Sequence, residues 1–130
     1  MIVIDASALL EVLLQTAAAG GVQRLISDPR ETLHAPHLID VEIAQVLRRY
    51  SASGDITAGR GRQALEDLMD LPVTRYPHDL LLPRIWELRH NVTAYDAAYL
   101  ALAEALASPL VTRDARLGVA PGHRARVLVV

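Results

Sequence analysis

Four apolar residues, Met1-Ile2-Val3-Ile4, run without interruption into an acid, Asp5. A run this short and apolar on both faces reads as a strand buried in a parallel sheet, because strands with one solvated face alternate instead. Such a strand needs helices over both faces, which restricts the chain to an α/β architecture. Asp5 then stands at the carboxyl end of the strand, the edge where open parallel sheets bind ligands. A second apolar run follows, with Ser7 placed to cap a helix over Ala8–Leu14.

The remaining pattern agrees. Gly20-Gly21 is expected to break the chain before a short helix at Val22–Ser27, and Thr32–Ala35 is a strand candidate. Leu38–Ala52 carries Ile39, Ile43, Val46 and Tyr50 on one helical face. Arg62–Leu71 is predicted helical with Leu65, Leu68 and Met69 inward, its start blurred by Gly59 and Gly61. Pro72–Tyr76 reads as a strand. Asp79–His90 reads as a helix, with Pro83 either near its first turn or kinking it. Thr93 or Ala94 opens a helix through Ala107, with Tyr95, Tyr99, Leu102 and Leu106 in one stripe. Pro109–Thr112 is a strand, Ala115–Leu117 a turn, and Ala125–Val130 a closing strand. Strands alternating with helices predict a three-layer α/β/α fold with a central parallel sheet, and 130 residues fit one domain over 1–130.

Composition prunes the chemistry. There is no cysteine, so neither disulfides nor cysteine-bound zinc enter. Met1–Leu14 lacks the basic flank of a signal peptide, and Ala97–Val111, interrupted by Glu104 and Pro109, is too short to span a bilayer. The expectation is a soluble cytoplasmic protein without membrane contact. All 13 basic residues are arginine, for which genomic base composition is a sufficient cause. The missing lysine still excludes a phosphate-cradling Gly-Lys-Ser/Thr loop. It also disfavours phosphoryl transfer onto Asp5, since enzymes with phosphoaspartate chemistry rely on a lysine. The five histidines are scattered with no i, i+4 metal pair, and Ser7 has no evident histidine partner.

Most carboxylates fall on solvated helix faces or at turns, but four resist that reading. Asp5 and Asp114 each follow a strand, Asp96 lies in the first turn of a nearly uncharged helix, and Glu42 lies near the start of another. Singly, Asp96 and Glu42 are explained by helix dipoles, worth about 0.3–1 kcal/mol each, and Asp5 by capping. Together they would repel one another in one crevice, and a divalent cation relieves that repulsion. An all-oxygen donor set suits Mg2+ or Mn2+. Asp40 falls on the opposite edge of its helix from Glu42 and is left outside the cluster.

The blocks IVIDASALL, APHLIDVEIAQVLRR, NVTAYDAAYLALAEAL and LVTRDARL, in this order, resemble the PIN-domain ribonucleases, specifically the short VapC-type toxins of bacterial toxin–antitoxin pairs. The resemblance spans nearly the whole chain. It implies a PIN-like parallel sheet flanked by helices, a homodimer, an RNA substrate and a cognate VapB-type antitoxin peptide. It implies that Asp5 and Asp96 hold the metal, that Asp114 and Glu42 complete the cluster through water, and that Ser7 and Thr112 are supporting hydroxyls. The resulting expectation is a Mg2+- or Mn2+-dependent endoribonuclease. The alternative is a catalytically inactive PIN-fold module that binds RNA or protein, and a third is a metal-dependent phosphatase-like enzyme. An acidic crevice repels RNA, so phosphate contacts belong to rim arginines, foremost Arg113 and Arg116 beside Asp114. Tyr50, Tyr76 and Trp86 are read as core or interface rather than as stacking surfaces.

Overall fold

The computed structural model describes all 130 residues, Met1–Val130. Five strands, β1 (Ile2–Ile4), β2 (Leu33–Pro36), β3 (Val73–Tyr76), β4 (Leu110–Thr112) and β5 (Val127–Val129), form one sheet in the order β3-β2-β1-β4-β5. Every pairing is parallel. The helices are α1 (Ala6–Leu13), α2 (Ala19–Ile26), α3 (Leu38–Ser53), α4 (Ala58–Asp70), α5 (Leu82–Glu87), α6 (Ala94–Ala105) and α7 (Ala115–Val119). The parallel α/β fold flanked by helices is therefore the one expected.

β1 is central and all three of its residues are buried. The chain grows outward from it through β2 to β3, then returns to its other side with β4. The gap between β1 and β4 is thus the switch point at which parallel sheets open a crevice. The register Ile4↔Val111 brings the residues after both strands together at that crevice. Helix α6 lies across β1, β2 and β4, and its residues Ala97–Ala103 are all buried. Its small residues permit that close approach, and Leu100 and Leu102 fill the core beside Ile4, Leu9, Ile39 and Ile43.

Several boundaries differ from expectation. Helix α1 begins at Ala6, capped by Asp5, whose carboxylate accepts from the Ala8 N–H at 3.0 Å. Ser7, expected to cap, lies inside the first turn. Gly20 and Gly21 lie within α2, and α4 starts at Ala58 with Thr57 as cap, so Gly59 and Gly61 are helical. Gly61 is buried, and a β-carbon there would sit 3.5 Å from the Ile56 side chain. The Asp79–His90 segment divides into a 3-10 turn, Asp79–Leu81, and α5, with Pro83 in the first turn of α5 where its missing N–H costs nothing. Ala115–Leu117 is part of a short helix, α7. Met69 and Tyr95, expected inward, are exposed, because α4 packs on α3 and α1 through Gly61, Ala64 and Leu68, and because Tyr95 precedes the buried run of α6 that starts at Ala97. Tyr50 and Trp86 are also exposed rather than core.

A polar clamp holds α5 against α6. Arg84 donates to both Glu104 oxygens at 2.8 and 3.1 Å, to Glu87 at 2.8 Å and to the Gly122 carbonyl at 2.9 Å. Glu104 also accepts from the Arg124 N–H at 2.7 Å. The Arg84 guanidinium holds the Glu104 carboxyl below its ordinary value of 4.5, and burial opposes this only in part. A depressed carboxylate adds stability above its ordinary value and loses it as pH falls through the folded one. Glu104→Gln should therefore cost about 2 kcal/mol in urea unfolding at pH 7, and the difference from the parent should begin to shrink only once pH falls below 4.5, vanishing when the folded carboxyl is itself protonated.

Candidate active site

Asp5 is only 7% exposed yet carries a carboxylate. Its Oδ1 accepts from the Ser7 hydroxyl at 2.7 Å and from the Ala8 N–H, and its Oδ2 accepts from the Thr112 hydroxyl. Each hydroxyl is itself oriented by backbone: Ser7 Oγ accepts from the Arg113 N–H at 2.9 Å, and Thr112 Oγ1 accepts from the Asp114 N–H at 2.9 Å. Both hydroxyl protons are thus committed to Asp5. Burial still pushes the Asp5 carboxyl above its ordinary value, against the hydrogen bonds from Thr112, Ser7 and Ala8 that pull it down.

Glu42 projects from α3 towards the same crevice. Its Oε1 accepts from the Tyr99 hydroxyl at 2.7 Å. Burial raises the proton affinity of Glu42; the Tyr99 bond lowers it, and repulsion from Asp5 and Asp96 raises it further. Tyr99, almost fully buried, is driven well above the ordinary phenol range, first by burial and then by the charge on Glu42, so it remains a donor. Asp96, in the first turn of α6, is raised by burial and by the charge of Asp114, with Asp5 adding to it and Arg116 opposing. Asp114 caps α7 and is gripped by Arg116, whose Nη2 reaches Oδ2 at 2.7 Å and whose Nε reaches Oδ1 at 3.0 Å. That guanidinium lowers the Asp114 carboxyl.

The four acids therefore share one field: Asp96 feels both Asp114 and Asp5, and Glu42 feels Asp5 and Asp96. No three of the chain's carboxylates or imidazoles stand close enough to cage an ion as they are now turned. Asp114 faces Arg116 and Glu42 faces Tyr99. The donor chemistry nevertheless fits a hard divalent cation, being all oxygen, with three of four groups raised by desolvation and none of those three in an ion pair. Asp40 lies outside the cluster, bound to Arg75 at 2.7 and 2.9 Å. Arg113 is tied to Glu11 at 3.7 Å and to the Val130 carbonyl, whereas the Arg116 side chain is 88% exposed.

Tyr99 is the site residue that periodicity missed. Its place in an apolar stripe marks it as core, but a buried phenol needs a hydrogen-bond partner, and three residues after Asp96 it shares that acid's side of α6.

Two outcomes follow from these contacts. Tyr99→Phe removes the hydrogen bond that favours ionised Glu42, so the Glu42 side-chain signal in an NMR titration should move to higher pH. An unchanged Glu42 titration would show that the bond carries no weight. Asp96 has a raised folded pKa, so its stability contribution is fully present below its ordinary 3.8 and is lost as pH rises through the folded value. Asp96→Asn should accordingly raise the melting temperature by a few degrees at pH 7 and leave it unchanged near pH 3.

Comparison with known proteins identifies the family. Residues 2–122 match the PIN domain family. "VapC ribonuclease Mb0985" of Mycobacterium bovis is 52% identical over 117 residues, covering 90% of this chain and 88% of that protein. The same fold occurs in VapC20 of Mycobacterium tuberculosis, described as a sarcin-ricin loop cleaving toxin, with a TM-score of 0.71 at 17% identity over 95% of this chain and 97% of that one. It occurs again in VapBC2 of Rickettsia felis, solved with a DNA fragment from its promoter, with a TM-score of 0.71 at 12% identity over 99% and 98% of the two chains. With acids at the positions the four sequence blocks mark, and with an enzyme of this kind sharing half its residues, the chain belongs to the PIN-domain family and within it to the VapC-type ribonucleases.

Proposed function

We propose that the protein is a metal-dependent endoribonuclease acting as the toxin of a toxin–antitoxin pair. The observation that carries this reading is the gathering of Asp5, Glu42, Asp96 and Asp114 into one field at the sheet's switch point, in a chain half identical to a VapC ribonuclease. Asp5 and Asp96 are assigned to hold Mg2+ or Mn2+, with Asp114 and Glu42 completing the set. When bound, such a cation supplies Lewis acidity to a phosphate oxygen and acidifies water at neutral pH.

The chain's own residues supply the rest. Ser7 and Thr112 lock the Asp5 carboxylate in one orientation, so this one ligand is in place before substrate arrives. Tyr99 occupies Glu42 Oε1 and leaves Oε2 free. A carboxylate with raised proton affinity is the better base, and Glu42 Oε2 is the assigned acceptor of the proton from the attacking water. Arg116 must turn from Asp114 for that acid to contribute, which frees its guanidinium for a substrate phosphate. Arg113 is the second rim contact.

The partners follow from the family. A VapB-type antitoxin peptide is proposed because the Rickettsia neighbour in fold is a VapBC protein, and a homodimer is proposed from the family resemblance alone. No helix of this chain is long and apolar enough to cross a membrane, which accords with a proposed site of action in the cytoplasm.

Incubation of the purified protein with cellular RNA tests the reading. Cleavage in Mn2+ or Mg2+ should cease on chelation, and Asp5→Asn should lower the rate by at least about a hundredfold and abolish toxicity on expression. Binding of RNA without cleavage in either metal would point instead to a binding module. If the protein neither cuts RNA nor differs from Asp5→Asn in its effect on growth, the assignment is wrong.

A further inference from the structure

The acid cluster lies between two grooves. One, beyond Glu42 and Ser7, runs between α1 and α3. The other, about 540 Å³, starts at Asp96 and Asp114 and runs between the α5–α6 connection and α7. The second has an unusual wall: Arg89, His90 and Asn91 in consecutive positions, faced by Arg116.

Arg89 is exposed and forms no ion pair with any carboxylate of the chain, although acids crowd the groove's inner end. Its Nη1 donates to the Trp86 carbonyl at 2.9 Å, and its guanidinium lies 4.5 Å from the centre of the Trp86 ring. Trp86 is 67% exposed. A flat, cationic pair therefore stands in solvent at the groove's outer end, with Arg89 in the groove wall and Trp86 stacked on it just outside, while the inner end is acidic. A guanidinium stacked on indole offers the two things an unpaired nucleotide needs, a charge for phosphate and a face for a base. Double-stranded RNA hides its base faces, so only a single strand gains from the second. Two cations line the same groove: Arg116, now paired to Asp114 beside the cluster, and Arg89, which pairs with no acid.

We propose that this groove receives the single-stranded RNA on one side of the scissile phosphodiester. Arg89 and Arg116 meet successive phosphates, and the Trp86–Arg89 pair receives an unstacked base. This deepens the ribonuclease reading and rests on it.

Arg89→Ala, Arg89→Glu, Trp86→Ala and Trp86→Phe in the full chain test the assignment. Both positions are exposed, so the fold is expected to survive, as a melting curve verifies. Binding of a labelled short oligoribonucleotide is followed by fluorescence anisotropy in a metal-chelating buffer over a range of salt, and cleavage of the same strand in Mn2+. Arg89→Ala should weaken binding about three- to tenfold, Arg89→Glu more, and the salt slope should fall by about 0.7 for the lost phosphate contact. Trp86→Ala should weaken it about tenfold, with Trp86→Phe largely restoring affinity. In cleavage the loss should fall on KM, with kcat and Mn2+ affinity held. The parent should prefer the single strand to its duplex, and the Trp86 effect should vanish on the duplex.

If the parent binds and cuts RNA while these variants match it, the groove assignment fails and the nuclease assignment stands. If the parent neither binds nor cuts RNA, both fail. If the variants lose an antitoxin peptide instead, with RNA affinity intact, the surface is a protein interface and the proposal is overturned.

Discussion

A carboxylate that is 7% exposed is unfavourable unless the surrounding groups answer it, and most of the site's construction answers Asp5. Ser7, Ala8 and Thr112 supply its donors, and two of these are oriented by the N–H groups of Arg113 and Asp114. None of this survives a change of pairing between β1 and β4. A slip of one residue would turn Asp5 to the opposite face of the sheet and separate it from Thr112. The site thus depends first on the register of two strands, and only then on the acids themselves.

Much of that was legible in the chain. An apolar run ending on an acid marks a strand edge wherever the sheet is parallel, and an acid opening a nearly uncharged helix must face something other than lipid-like core. The exclusion of Asp40 on helical phase holds, since Arg75 occupies it. What failed to show has physical reasons. Asp5 and Ser7 both suit a cap, and only the helix's actual start separates them. The paired glycines suggested breaks because propensity is local, but packing against neighbouring helices overrides it in α2 and α4. Helical phase placed Tyr95 inward without knowing where α6 meets the sheet, and it cannot distinguish a phenol in oil from one bonded to Glu42.

A chain whose only strong cations are arginines also has a distinctive way of holding itself together. Arg84 engages two carboxylates and a carbonyl at once, and Arg75 and Arg116 each bind a carboxylate with two nitrogens. A lysine ammonium lacks the planar fork for such pairing. The same side chain serves as clamp in the α5–α6 seam and as charged rim around the crevice, the difference being whether a carboxylate lies within reach.

The hydrogen bond from Thr112 to Asp5 joins residues 107 positions apart, and β1 has its place between β2 and β4. During synthesis β1 emerges first of the three, β2 follows, and β4 comes only after α3, α4, β3, α5 and α6. Closing that loop is late and entropically costly, so the acid centre cannot assemble on a partial chain. A nascent or truncated copy lacking β4 carries Asp5 without the geometry that gives it a purpose. The topology of the sheet thereby delays the appearance of the site until β4 has been made and paired.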